Sequence, residues 1–289
     1  MSNLQGKNIF VTGGNQGLGK SIAHRCLEAG ANVFLFARNV ELLEATRSDL
    51  ASRFPRQQVL SLGLDVSDEK AVNAAFLQAV MRLGSVHGLV NNAGVYGPKG
   101  LTEDIDLEQW ISALQINLLG TLYPCRFVIS QFRKHGGGKI VNLSGGGATA
   151  PLPRFSAYAC SKAAVVRLTE TLAHELDGTG IDINAIAPGA LNTRMLDEVL
   201  TAGPEIVGDA FYSKALQQKE SGGASLDRAA ALSVFLLSAE SNGITGRLLS
   251  AIWDPWEDLP RHVQDLKNSD VFTLRRIALE DRGLKWERP

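Results

Sequence analysis

Short, nearly unbroken apolar runs alternate along the chain with longer stretches whose apolar residues recur every three or four positions. The segments 8–12, 33–37, 59–64, 87–91, 139–143 and 182–187 read as six strands, and 248–252 is a further apolar run near the end. Between the first two strands, Leu18, Ile22 and Cys26 fall at i, i+4 and i+8, one face of a helix that closes at Gly30. A second helix runs from about 40 to 53 and stops before Pro55. A third, capped by Ser67, carries Val72, Phe76 and Val80 on one face. One long helical stretch covers 107–133, another 158–176, and a last helix 228–238. Strands that are apolar throughout and separated by helices predict a parallel sheet covered on both faces, because the crossovers place helices there. Right-handed crossovers make that sheet doubly wound.

No internal repeat, low-complexity block or linker interrupts this alternation. It predicts one domain over residues 1–253, with 254–289 as a C-terminal extension of mixed charge anchored by Trp256, Phe272 and Trp286. With 29 basic and 30 acidic residues the formal charge is −1, which argues against a nucleic-acid or anionic-membrane partner. Three scattered cysteines, Cys26, Cys125 and Cys160, suit neither a disulfide framework nor a metal site, and they fit a reducing compartment. The opening MSNLQGKNIFVTGG lacks the basic and long apolar regions of a secretory leader, and no apolar run reaches the roughly 18 residues of a membrane span. The expected location is the cytoplasm.

Three clusters carry candidate chemistry. Between the first strand and the first helix lies T-G-G-N-Q-G-L-G, Thr12 to Gly19. Glycine permits the sharp turn and the close approach of a diphosphate, and the helix N-terminus offers free N–H groups and a positive dipole end. A tight turn with no ligand is the plainer alternative. At the end of the second strand stands Ala37-Arg38-Asn39, with no carboxylate to bind the adenosine ribose hydroxyls. Arg38 pairs well with a 2′-phosphate, favouring NADP(H) over NAD(H), unless it is only a solvated surface charge. Tyr158 and Lys162 stand one turn apart on a helix face. A phenol needs a shift of roughly two to three pH units below its ordinary value near 10 to exchange protons near neutrality. A neighbouring ammonium and the positive charge of an oxidised nicotinamide act in that direction. Lys162 is also placed to hold the cofactor ribose.

The glycine spacing here is G-x-x-x-G-x-G (Gly13, Gly17, Gly19). Asp65 follows the third strand, Asn91-Asn92-Ala93-Gly94 the fourth, and Asn117 lies in the long helical stretch. Tyr158-Ala-Cys-Ser-Lys162 opens the next helix, and Pro188-Gly189 with Thr193 follows the sixth strand. Taken together, over about residues 5–252, this pattern resembles the classical-type short-chain dehydrogenase/reductase family. The resemblance implies a Rossmann-type sheet and a nicotinamide cofactor, NADP first and NAD second. It implies a cofactor site at Gly13, Asn15, Gly17, Leu18, Gly19, Arg38, Asp65, Val66, Asn92, Ala93, Gly94, Tyr158, Lys162, Pro188, Gly189 and Thr193. Asp65 would bind near the adenine, though unaided it reads equally as a strand-end capping acid. Tyr158 would be the acid/base, Lys162 its tuning cation, and Asn117 the holder of a water in the proton relay, or else an asparagine bonding a kinked backbone. No metal is implied. The substrate would be a small-molecule carbonyl or secondary alcohol, and assembly a homodimer or homotetramer through the two long helical stretches.

One departure stands out. The family's substrate-binding serine, counted back from Tyr158, falls on Gly145 rather than Ser144. Either the loop 145–153 lets Ser144 turn inward, or N–H groups of the glycine run replace the hydroxyl, as in an oxyanion hole. Ser144 is the nearest equivalent. Two other readings remain open: a cofactor-binding sensor with little turnover, and a redox-neutral lyase or epimerase reusing the Tyr/Lys pair. The segment 190–223, with Met195, Leu196, Phe211 and Tyr212 between glycine breaks, is expected to be a lid over the substrate. Arg154 would meet an anionic or polyhydroxylated substrate, or only solvent. Trp253 and Trp256 would cover the substrate mouth or a neighbouring subunit.

Overall fold

A computed structural model describes residues 2–286. Seven strands form one sheet: β1 (Asn8–Thr12), β2 (Asn32–Ala37), β3 (Val59–Gly63), β4 (Gly88–Asn91), β5 (Gly138–Leu143), β6 (Ile181–Ala187) and β7 (Leu248–Ser250). Their order is β3-β2-β1-β4-β5-β6-β7 and every neighbouring pair is parallel. This is the doubly wound sheet that the apolar pattern predicts. Side chains alternate along each strand. On one face Ile9, Val11, Val33 and Leu35 pack against α1 (Gly17–Glu28) and α10, the helix Leu226–Leu237 near the end of the chain. On the other, Phe10, Phe34 and Phe36 meet α3 (Glu69–Leu83) and α5 (Gly120–His135). Phe76 of α3 joins that aromatic layer, stacked on Phe36 at 4.6 Å and edge-on to Phe10 at 5.2 Å.

The chain winds from β1 outward to β3, then returns to β4 and continues the other way. The crevice where this direction reverses, at the carboxyl ends of β1 and β4, is where such sheets receive ligands. The remaining helices, α2 (Val40–Arg53), α4 (Leu107–Leu114), α6 (Ser156–Glu175), α7 (Arg194–Ala202), α8 (Pro204–Val207), α9 (Asp209–Ser221) and α11 (Val263–Lys267), complete the layers and rim.

Several elements differ from the sequence reading, each for a local reason. Asp68, not Ser67, caps α3 by accepting from the Ala71 N–H at 3.0 Å, because Ser67 is held in a turn by Asp65. The stretch 107–133 is two helices joined by a wide π-helical turn, Gln115–Leu119, which carries Asn117. The segment 190–223 holds α7, α8 and α9, separated by Gly203 and Gly208 at φ of 80° and 87°. In the extension, Trp256 is buried against Phe235 of α10 at 5.5 Å, whereas Trp253 is 85 % exposed. The last residues of the extension, 287–289, lie outside the described residues.

Candidate active site

The crevice is built outward from β1. Gly13 and Gly17 take positive φ, 62° and 52°, so the backbone turns out of the strand and straight into α1. A Cβ on Gly19 would stand 2.2 Å from the Gly13 carbonyl oxygen, so only glycine lets the helix approach the loop this closely. The start of α1 has no side-chain cap and no acid in its first turn, leaving its N–H groups to a ligand. The turn after β4 is sewn to this loop. Asn92 Nδ2 donates to the carbonyls of Thr12 at 3.1 Å and Gly13 at 3.0 Å, and Thr12 Oγ1 accepts from the N–H groups of Asn92 and Ala93.

One cavity of about 480 Å³ runs along these strand ends. Of the expected site residues it is lined by Gly13, Asn15, Gly17, Leu18, Arg38, Val66, Asn92, Ala93, Gly94, Ser144, Tyr158, Lys162, Pro188 and Thr193. Gly19, Gly189, Asn117 and Asp65 lie behind or beside it. Gly189 takes φ 91° behind Pro188. The Asp65 carboxylate accepts from Ser67 N–H at 2.9 Å and Ser67 Oγ at 2.7 Å, closing a turn just ahead of the helix cap at Asp68. Burial works against its charge, but the Ser67 bonds and the Arg38 charge hold it below the usual carboxylate range. Arg38 is exposed at the cavity's edge, and the neighbouring Asn39 spends its side chain capping α2 through the Leu42 N–H at 2.9 Å.

Val95 and Ile116, which the sequence did not single out, also line the cavity, as do Leu191, Arg194 and Met195 from the segment expected to be a lid. Val95 follows N-N-A-G directly and Arg194 follows Thr193, so adjacency to a motif was the available signal. The described lining contains three cations, Arg38, Lys162 and Arg194, and no carboxylate. That charge balance, the uncapped start of α1 and the glycine cradle fit an extended polyanion such as a nicotinamide dinucleotide.

At the other end of the cavity α6 presents Tyr158 and Lys162. Lys162 Nζ donates to the Leu143 carbonyl at 2.7 Å and stands 5.7 Å from the centre of the Tyr158 ring. Burial lowers the Lys162 ammonium to about 8. Burial, and then Tyr96, raises the Tyr158 phenol above its ordinary value, so the protein alone keeps it protonated at neutral pH. A depressed phenol is therefore not a property of the Tyr158–Lys162 pair by itself.

Gly145 explains its own identity. A Cβ there would stand 2.2 Å from the Tyr158 hydroxyl, so the phenol occupies the space a side chain would fill. Ser144 lines the cavity, and its Oγ is buried without a hydrogen-bond partner among the described residues. Such an orphan is costly unless a ligand satisfies it. Asn117 is fully buried in the π-helical turn. Its Oδ1 accepts from Val95 N–H, and its Nδ2 donates to the Val95 carbonyl and to Ser161 Oγ, all at 2.9 Å. Arg154, in the left-handed region at φ 68°, donates from Nη1 to the carbonyls of Glu205 and Ile206 at 2.9 and 3.0 Å. It thereby ties the loop before α6 to α8.

The model of the short chain dehydrogenase family matches residues 7–202. Levodione reductase of Leifsonia aquatica is 36 % identical over 189 residues, covering 65 % of this chain and 71 % of that protein. The protein 2-(S)-hydroxypropyl-CoM dehydrogenase 3 of Xanthobacter autotrophicus is 31 % identical over 250 residues, 85 % and 95 % of the two chains. The crystal structure of levodione reductase superposes with a TM-score of 0.79 at 30 % identity, covering 90 % of this chain and 99 % of that one. That of NAD+-bound xylitol dehydrogenase also gives 0.79, at 28 % identity over 86 % and 98 %. With the doubly wound sheet, the glycine cradle and these matches in place, the chain belongs to the short-chain dehydrogenase/reductase family, NAD(P)-dependent oxidoreductases acting on CH–OH and C=O groups.

Proposed function

We propose that this chain reduces the carbonyl of a small molecule, or oxidises the corresponding secondary alcohol, with NADP(H) as the preferred cofactor and Tyr158 as the acid/base. The observation that carries the reading is the cavity itself: lined by three cations and no described carboxylate, it ends on Tyr158, Lys162 and the unpartnered Ser144 hydroxyl. A nicotinamide dinucleotide bound there supplies or accepts the hydride. Gly13, Gly17 and the start of α1 hold its phosphates, Arg38 the 2′-phosphate, and Lys162 a ribose hydroxyl. The absence of an acid at the end of β2 supports NADP(H). Ser144 Oγ and the Tyr158 hydroxyl hold the substrate oxygen, and the phenol passes it a proton. The phenolate so formed needs the Lys162 ammonium nearby. Asn117 acts as a positioning residue: it fixes Val95 in the cavity wall and, through Ser161, the turn of α6 between Tyr158 and Lys162. A cytoplasmic location is supported by three unpaired cysteines, and a homo-oligomer built through α4 to α6 by the exposed Leu107 and Ile111 on α4.

The test follows absorbance of the reduced cofactor with NADPH or NADH and a panel of ketones and sugars. Tyr158→Phe is expected to lower turnover about 10²–10⁴-fold, the usual worth of a positioned acid, with cofactor affinity nearly intact. Arg38→Ala is expected to weaken NADPH and spare NADH. Wild-type turnover in Tyr158→Phe overturns the mechanism, and equal losses for both cofactors overturn the NADP(H) preference. The pH profile follows from the lysine: Lys162 is charged below about 8 and neutral above it. Carbonyl reduction is therefore expected to be level up to about pH 8 and to fall above it, a limb that Lys162→Met removes along with most of the turnover.

A further inference from the structure

Arg194 has no part in any motif noted in the sequence, and its position is unfavourable on its own terms. It is the first residue of α7, where the helix dipole presents positive charge and disfavours a cation. A structural reason for an arginine there would be an acidic partner it cannot do without. Its partner is Glu198, one turn along the same helix at 3.1 Å, and the Arg194 side chain remains 56 % exposed. Exposed pairs of this kind contribute little to stability.

The surroundings supply a different reason. Arg194 lines the cavity, directly after Thr193, whose methyl lies 3.5 Å from where a Cβ on Gly17 would stand. Gly17 is the first residue of α1, so Arg194 stands across the crevice from the uncapped N–H groups that close the glycine loop. Arg38 sits at the β2 end of the same cavity and Lys162 on α6, leaving Arg194 as the cation on the lid side. Glu198 meanwhile has a second cation. Its other carboxylate oxygen is 3.5 Å from Lys99 Nζ, which in turn stands 5.5 Å from the Tyr96 ring. Arg194 can leave Glu198 without stranding an unpaired carboxylate.

We infer that Arg194 is the lid-side ligand of the cofactor's diphosphate, exchanging Glu198 for phosphate oxygens when the dinucleotide binds. The inference rests on the dinucleotide site proposed above and adds a residue to it. A guanidinium suits two adjacent phosphates because its planar fork donates bidentately. The consequence is division of labour: Arg38 distinguishes the 2′-phosphate, whereas Arg194 grips what NADH and NADPH share and draws the start of α7 onto them.

The experiment is equilibrium titration of the full-length chain with NADPH, NADH and adenosine 2′-monophosphate, read as dissociation constants and independent of any substrate. Arg194→Gln is expected to weaken NADPH and NADH by the same factor, about tenfold for a lost charge-assisted bidentate contact, and to leave adenosine 2′-monophosphate unchanged. Glu198→Gln, which frees Arg194 and removes a competing anion, is expected to tighten both dinucleotides about twofold or more. A merely structural ion pair predicts instead that both variants shift affinity in the same direction. Dinucleotide constants unchanged in Arg194→Gln, a loss confined to NADPH, or weaker binding in Glu198→Gln overturns the inference. Failure of the unmodified chain to bind either dinucleotide overturns the proposed function itself.

Discussion

At the scale of single residues, position 145 decides how the proposed site is arranged. The Tyr158 hydroxyl lies 2.2 Å from the place of a Cβ on Gly145, well inside any tolerable contact, and backbone fixes one partner while burial fixes the other. Restoring the family's serine by Gly145→Ser is therefore expected to displace the phenol rather than to add a useful hydroxyl. Turnover should fall at least about tenfold, since misplacing a reacting group by an ångström is that damaging or worse. Cofactor affinity should stay the same. A Gly145→Ser variant faster than the parent would show that the phenol does not depend on that space. The sequence carried the glycine cradle, the N-N-A-G turn and the Tyr158/Lys162 pair, because each is a run of chemistry-bearing residues at short spacing. It did not carry the seating of the phenol over Gly145, which depends on a contact across 13 positions of chain, nor the role of Arg194, a lone cation whose meaning comes from the cavity it faces. The Asp65 carboxylate was legible in both directions, and its bonds to Ser67 make it a turn former ahead of α3, whose cap is Asp68.

At the scale of elements, apolar runs located six strands, and the further run 248–252 contains the seventh, because strands inside a parallel sheet are mostly apolar. What periodicity could not reveal was the break in the stretch 107–133. One π-helical turn of five residues is too short to register as a change of period in so long a stretch, and its wider backbone carries Asn117 inward. That turn ties α4 and α5 to the wall of the cavity and to α6. Asn117→Ala would leave the Val95 N–H and carbonyl and one bond to Ser161 Oγ unmade in a fully buried place. With about 1–3 kcal/mol for each buried group left unsatisfied, and some recovery by water, the expected loss of stability is about 2–4 kcal/mol. Denaturant melts measure it. Asn117→Asp keeps the volume and an acceptor for the Val95 N–H but sets a fully buried carboxylate against the Val95 carbonyl, so it should cost more than Asn117→Ala if the hydrogen bonds, not the volume, carry the effect. Equal stability of all three proteins would mean that the π-helical turn stands without its asparagine.

For the whole molecule, the first part of the extension joins the core rather than covering the cavity, whereas Trp286, expected as an anchor, is exposed. Trp256, Leu259 and Leu266 share one buried cluster with β1, α1 and α10, and no described residue beyond Met195 lines the cavity. The extension also closes the sheet edge. Leu248 of β7 donates its N–H to the Phe272 carbonyl at 2.8 Å, and the Arg247 guanidinium gathers the carbonyls of Leu266, Ser269 and Val271. An edge strand left bare is a template for pairing with other chains, so this covering also guards against aggregation. Fully burying a large apolar side chain contributes about 1.5–3 kcal/mol, and three such residues approach the total stability of a typical domain, about 5–15 kcal/mol. Truncation at Asp254 is therefore expected to yield an aggregated or unfolded chain. Trp256→Ala is the milder probe, because the rest of the extension can stay docked. It removes the ring packed between Phe235 and the Arg228 guanidinium and should cost about 3–5 kcal/mol, lowering Tm by roughly 10 °C in a chain of this size. Cofactor affinity of the folded fraction should not change, since the ring lies across the sheet from α6 and outside the cavity lining. A Trp256→Ala protein with the parent's Tm but altered substrate affinity would return the extension to the substrate mouth, and with it the coupling between chain end and chemistry that the buried tryptophan argues against.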